Sequence, residues 1–85
     1  DAHDVLLVTL CMDVLSAAEA PGVSAPSPFG LSAIKVREIL RKMGSSKKTV
    51  SFSVCEITPS LDVNNQTTKL GAYFINEVIM QFLIK

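Results

Sequence analysis

Two short strand-like runs, Val5 to Leu10 and Thr49 to Glu56, are joined by a segment that first forbids regular structure and then favours a helix. The first part, Ala20-Pro21-Gly22-Val23-Ser24-Ala25-Pro26-Ser27-Pro28, is too rich in proline, glycine and small residues for either helix or sheet. After it, Ser32 suits an N-cap, and Val36, Ile39, Leu40 and Met43 share one helical face, with Lys35, Arg37, Glu38, Arg41 and Lys42 around the rest. Gly44 is placed to end that helix, and Ser45-Ser46-Lys47-Lys48 to form the turn after it. A strand, a helix and a second strand in this order predict a right-handed crossover with the strands parallel.

The first run is almost continuously aliphatic, as in a central strand buried on both faces. The second alternates, with Val50, Phe52 and Val54 on one side and Ser51, Ser53 and Cys55 on the other. A polar loop from Thr58 to Gln66 follows. Thr67 then suits the cap of a last helix whose apolar stripe is Leu70, Tyr73, Phe74, Val78, Ile79, Phe82 and Leu83. The expected fold class is α/β, in the order β-α-β-α.

At 85 residues the chain makes one domain at most, and a single core of that size is marginally stable. Eight Lys and Arg balance eight Asp and Glu, so no basic field attracts nucleic acid or an anionic membrane. No apolar run approaches the ~18 residues that a membrane span needs. The apolar content of 48% is high for a small free-standing unit and easier to understand in a part of a larger one. The chain begins at Asp1-Ala2-His3-Asp4 with no initiator Met or leader, and His3 reads as a surface residue. Cys11 and Cys55 each lie in a strand pattern, where cysteine reads as a small buried hydrophobe, which implies a reducing, cytoplasmic setting. No Cys and His spacing builds a zinc site.

Asp13 follows the first strand, and Glu56 ends the second. Parallel strands bring both to the same edge of the sheet, and open α/β sheets bind ligands outside the carboxyl ends of their strands. Two carboxylates there suit metal binding, orientation of a cationic substrate, or shared acid and base roles. Asp13 equally suits a turn cap, and Glu56 a solvated strand end.

The stretch from Thr9 to Gly30 resembles the second signature of the ureohydrolases, the superfamily of arginase, agmatinase and formimidoylglutamase. Thr9, Leu10, Met12, Asp13, Ala17, Pro21-Gly22 and Gly30 fall in the signature's places. The first Asp of its pair is Cys11 here. The segment from Val50 to Asp62 is similar to the last core strand of the family, with Glu56 and Pro59 in matching positions. The resemblance implies a three-layer, parallel-sheet arginase-like fold and a pair of manganese ions. Asp13 then holds one metal, Cys11 occupies the place of the bridging Asp, and Glu56 faces the amidino group of a small amidine or guanidine substrate. A metal-bridging hydroxide attacking the planar amidine carbon is the implied chemistry.

A thiolate is soft and does not bridge hard ions as a carboxylate does, so Cys11 departs from the pattern at its most demanding position. The family's other ligands, a His and an Asp-x-His-x-x-x-Asp cluster, have no counterpart here. Residues 1–85 therefore read as the C-terminal portion of a single arginase-like domain, with the remainder of its own fold as a partner and closed homo-oligomers expected. The loop from Ala20 to Pro28 looks most like that of formimidoylglutamases, then agmatinases, then arginases. The competing reading is a catalytically inactive fragment that acts only in association.

Overall fold

In the computed structural model, which describes residues 5–84, β1 (Leu6–Cys11) and β2 (Thr49–Cys55) form a parallel two-stranded sheet. The helix between them, α1 (Ala33–Ser45), packs beside α2 (Gln66–Ile84). Val8 stands opposite Phe52, Leu10 opposite Val54 and Cys11 opposite Cys55. Because side chains alternate across a strand, Leu10, Phe52 and Val54 face the helices and meet buried Val36, Leu40, Phe74 and Val78.

The other face is open. Leu7 on it is 72% exposed, and Thr9 and Ser53 on it share a hydroxyl hydrogen bond of 3.1 Å. The expectation that the first strand is buried on both faces is therefore corrected: the described residues supply helices for one face only. It contributes two layers of the expected three.

Element ends differ from expectation for local reasons. Ser32 caps α1 as expected, its Oγ accepting from the N–H of Lys35 at 3.2 Å. Gly44 does not end the helix, which runs on through Ser45. Gly44 is buried where α2 crosses, and a Cβ on it would lie 2.9 Å from the Cβ of Gln81. β2 stops at Cys55 because Glu56 turns the backbone to a φ of 71°, which breaks the ladder.

Thr67 does not cap α2 either; it is fully buried inside the first turn. The cap is Asp62, whose carboxylate accepts from the N–H groups of Thr67 at 2.9 Å and Thr68 at 3.0 Å and from the Thr68 hydroxyl at 3.0 Å. Between them, Asn64 and Asn65 take left-handed backbone angles that asparagine tolerates. On α2 the buried stripe narrows to Phe74 and Val78, with Tyr73 and Leu83 largely exposed. Glu77 ties the two helices together by pairing with Arg37 at 3.5 Å and with Arg41. The Arg41 hydrogen bond outweighs partial desolvation and lowers the Glu77 carboxyl below its ordinary range. Among the described residues no helix is long and apolar enough to cross a membrane.

Candidate functional site

The proline-rich loop is built rather than loose. β1 runs out at Cys11 into a single tight turn, Met12–Val14, which sends Met12 into the core. The chain then doubles back on itself. Ser16 N–H donates to the Leu31 carbonyl, Leu31 N–H to the Val14 carbonyl and Ala17 N–H to the Ser27 carbonyl, each at 2.8 Å. Gly30 lies against this return, so close that a Cβ would collide with the Leu15 carbonyl.

Gly22 joins the two edge loops. Its N–H donates to Thr67 Oγ1 at 2.7 Å, and its carbonyl accepts from Thr58 N–H at 2.6 Å. A Cβ there would stand 2.7 Å from Cγ of Asp62. Two further ties hold the loop. Gln66 Nε2 donates to the carbonyls of Ala18 at 2.8 Å and Glu19 at 2.9 Å, and the Glu19 carboxylate accepts from Ala33 N–H at the start of α1. Gly22 thus fastens the loop after β1 to the loop after β2, and Gly30 lets the first loop close on itself.

Four groups meet there. Cys11 Sγ donates to Asp13 Oδ1 at 2.7 Å. Cys55 Sγ lies 3.7 Å from the Leu10 carbonyl. The Sγ atoms of Cys11 and Cys55 and a carboxylate oxygen of Glu56 all lie within 4.8 Å of one another. Asp13 stands outside this set and joins it only through Cys11. Donation to the Asp13 carboxylate, then burial, then the neighbouring Asp13 and Cys55 charges push the Cys11 thiol up to about 11, against a weaker opposing bond to the Asp13 backbone.

Asp13 and Glu56 thus do reach one edge, but only Glu56 belongs to the cluster there, which is centred on sulfur. Cys55, read in the sequence as packing, is an exposed free thiol, and Cys11 is half-buried. The available signal was register: two cysteines ending two parallel strands fall side by side. His3 lies outside the described residues. Glu19 and Asp62, which organise the edge from behind, carry no motif that sequence reasoning could have used.

A parallel β-α-β-α unit with carboxylates at its carboxyl edge places the chain among the α/β proteins, whose open sheets bind ligands outside the carboxyl ends of their strands. A sequence profile of the Arginase family matches residues 1–81, and the chain belongs to that family. It is 60% identical over 83 residues to a formimidoylglutamase of Lysinibacillus sphaericus, covering 98% of this chain and 26% of that protein. In fold it is similar to the crystal structure of formimidoylglutamase from Bacillus subtilis, with a TM-score of 0.93 at 23% identity, over 96% of this chain and 26% of that one. A Trypanosoma cruzi formiminoglutamase solved in an oxidized state with manganese matches with a TM-score of 0.86 at 20% identity, over 93% of this chain and 27% of that one. The chain spans about a quarter of the length of these relatives.

The residues present do not fit a manganese pair. Where the resemblance sets a carboxylate with two hard oxygens, Cys11 offers one soft sulfur. That thiol is moreover turned onto Asp13, so the two groups satisfy each other.

Proposed function

We propose that this chain is the C-terminal portion of a single arginase-like α/β domain whose whole protein is an amidine hydrolase of the formimidoylglutamase type. The reaction adds water across the amidine carbon of N-formimidoyl-glutamate and breaks a C–N bond. Formamide leaves, and the departing nitrogen gains a proton to become the amine of glutamate. The observation that carries the reading is the placement of an exposed carboxylate, Glu56, at the carboxyl edge of the parallel pair, in a chain 60% identical to a protein of that name.

In this reading Glu56 is a substrate-binding residue. Its two oxygens pair with the planar amidinium, a charge-assisted contact that fixes orientation as well as affinity. The left-handed backbone at Glu56 turns the chain sharply at the strand end, and strain of this kind is tolerated where a side chain must be aimed. Asp13 is the one hard-oxygen group of the motif pair left for manganese, and the rest of the ligand set belongs to the remainder of the fold. A reducing cytoplasm fits the free thiols, the open sheet face fits cover by the remainder of the same fold, and a closed homo-oligomer is what the family resemblance leads us to expect.

The test is a product assay on the longest natural form of the chain. Formamide and glutamate support the reading, and urea moves it to agmatinase or arginase. The absence of product with any of these substrates favours the second reading, association without catalysis, which the uncovered sheet face and the missing bridging carboxylate both support. The 85 residues alone are expected to hydrolyse no amidine, because they lack most of a two-metal ligand set.

A further inference from the structure

We propose that Cys11, Cys55 and Glu56 form a site for a single thiophilic divalent cation of the zinc class, which uses Cys11 where the resemblance sets a bridging carboxylate, differs from a manganese pair in metal preference, and takes Glu56 out of substrate binding while the ion is held. The ligand atoms lie within 4.8 Å of one another. Around a tetrahedral ion with metal–sulfur bonds of about 2.3 Å, neighbouring ligands stand roughly 3.8 Å apart. Small side-chain rotations close that difference. Two sulfurs and one carboxylate select a borderline-soft ion over a hard one.

The backbone supports such a site. Both thiols sit at the last residue of adjacent paired strands, so their Cα positions are fixed by the ladder. Cys55 and Glu56 are exposed and Cys11 is half-buried, so none of the three is sealed in the core formed by the described residues. Three protein ligands with one open position is a recognised zinc arrangement.

Binding balances as follows. Each S–H bond breaks as a sulfur–metal bond forms, two protons leave to solvent, and the ion's two positive charges meet two thiolates and the Glu56 carboxylate. The Cys11 hydrogen bond to Asp13 Oδ1 gives its proton a first acceptor on the way out. A coordinated thiol is deprotonated outright, so the ion itself drives the loss.

The experiment is titration of the untagged 85-residue chain, kept reduced with a phosphine, using cobalt(II) as the probe. The expected result is a near-ultraviolet thiolate-to-cobalt charge-transfer band that saturates at one ion per chain. One equivalent of zinc should bleach it, and a large excess of manganese should not. Cys55→Ser and Cys11→Ser should each abolish the one-to-one band, with circular dichroism checking that the fold is kept; exposed Cys55 is the safer substitution. Glu56→Gln should weaken the band without abolishing it. The proposal is overturned if reduced thiols give no band, if the band survives Cys55→Ser, or if manganese displaces cobalt as well as zinc does. It is also overturned if the reduced chain binds no cobalt and instead loses both thiols to a disulfide on removal of the reductant.

Discussion

Gly22 and Gly30 are held by contacts that one added carbon would break, whereas Cys55 and Glu56 are exposed at the end of the sheet. Both regions belong to the segments that resemble the ureohydrolases. The loop keeps its matched residues, and the departure, Cys11, falls on the chemical edge. The difference teaches that a motif of this kind mixes two constraints. Positions pressed against backbone, as Gly30 is, or against a capping side chain, as Gly22 is against Asp62, resist substitution while the fold persists, and positions at the exposed edge can change their chemistry at less cost to the fold.

The sharpest way to break this comparison is at Gly30. Gly30→Ala puts a Cβ into the Leu15 carbonyl, and backbone pinned by the hydrogen bonds of Ser16 and Leu31 cannot step aside. A loss of about 3 kcal/mol is expected, the upper end of ordinary overpacking. In a chain this small that loss unfolds a large share of molecules, which urea denaturation followed by circular dichroism will read. A Gly30→Ala variant as stable as the parent would mean that the loop is not held as described.

Next in size is Thr67→Val. The shape is kept and the acceptor for the buried Gly22 N–H is removed, so an amide is left without its partner at a cost of about 2 kcal/mol. The same denaturation curve measures it, and faster amide exchange at Gly22 would locate it. By contrast, Glu56→Gly is expected to raise stability by about 1 kcal/mol, because glycine takes the left-handed conformation without the steric cost that glutamate bears. A gain in stability together with loss of the carboxylate would identify Glu56 as a residue kept for chemistry, and a net loss would make it structural.

How much of this was legible in the sequence follows the same division. Ser32 as a cap and the two strands came from local pattern, because each depends on residues near in the chain, and the parallel pairing followed from the strand-helix-strand order rather than from any local signal. Thr67 was misread as a cap because its hydroxyl serves Gly22, 45 positions away. Gly44 was misread as a helix end because what it accommodates is the side chain of Gln81 on another helix. At the edge, Asp13 and Glu56 were legible as strand-end carboxylates. The hydrogen bond that commits Asp13 to Cys11 was not, and Cys55 became a candidate only once the register set it beside Cys11.

The finest test of the comparison is pH, since the two regions titrate at opposite ends of the scale. Partial desolvation raises the Asp62 carboxyl, but the hydrogen bonds from Thr67 and Thr68 outweigh it and hold the group well below the ordinary carboxylate range. A folded value below the unfolded one contributes stability above about 3.8, and that contribution fades as pH falls further. Cys11 has the opposite sign: its thiol is raised from 9.0 to about 11, so its contribution is complete below 9.0 and fades as pH rises toward 11. Asp62→Asn should therefore flatten the acid limb of a stability profile and leave the alkaline limb alone, and Cys11→Ser should do the reverse. If both variants changed the same limb, the loop scaffold and the sulfur-centred edge would be one coupled unit rather than two.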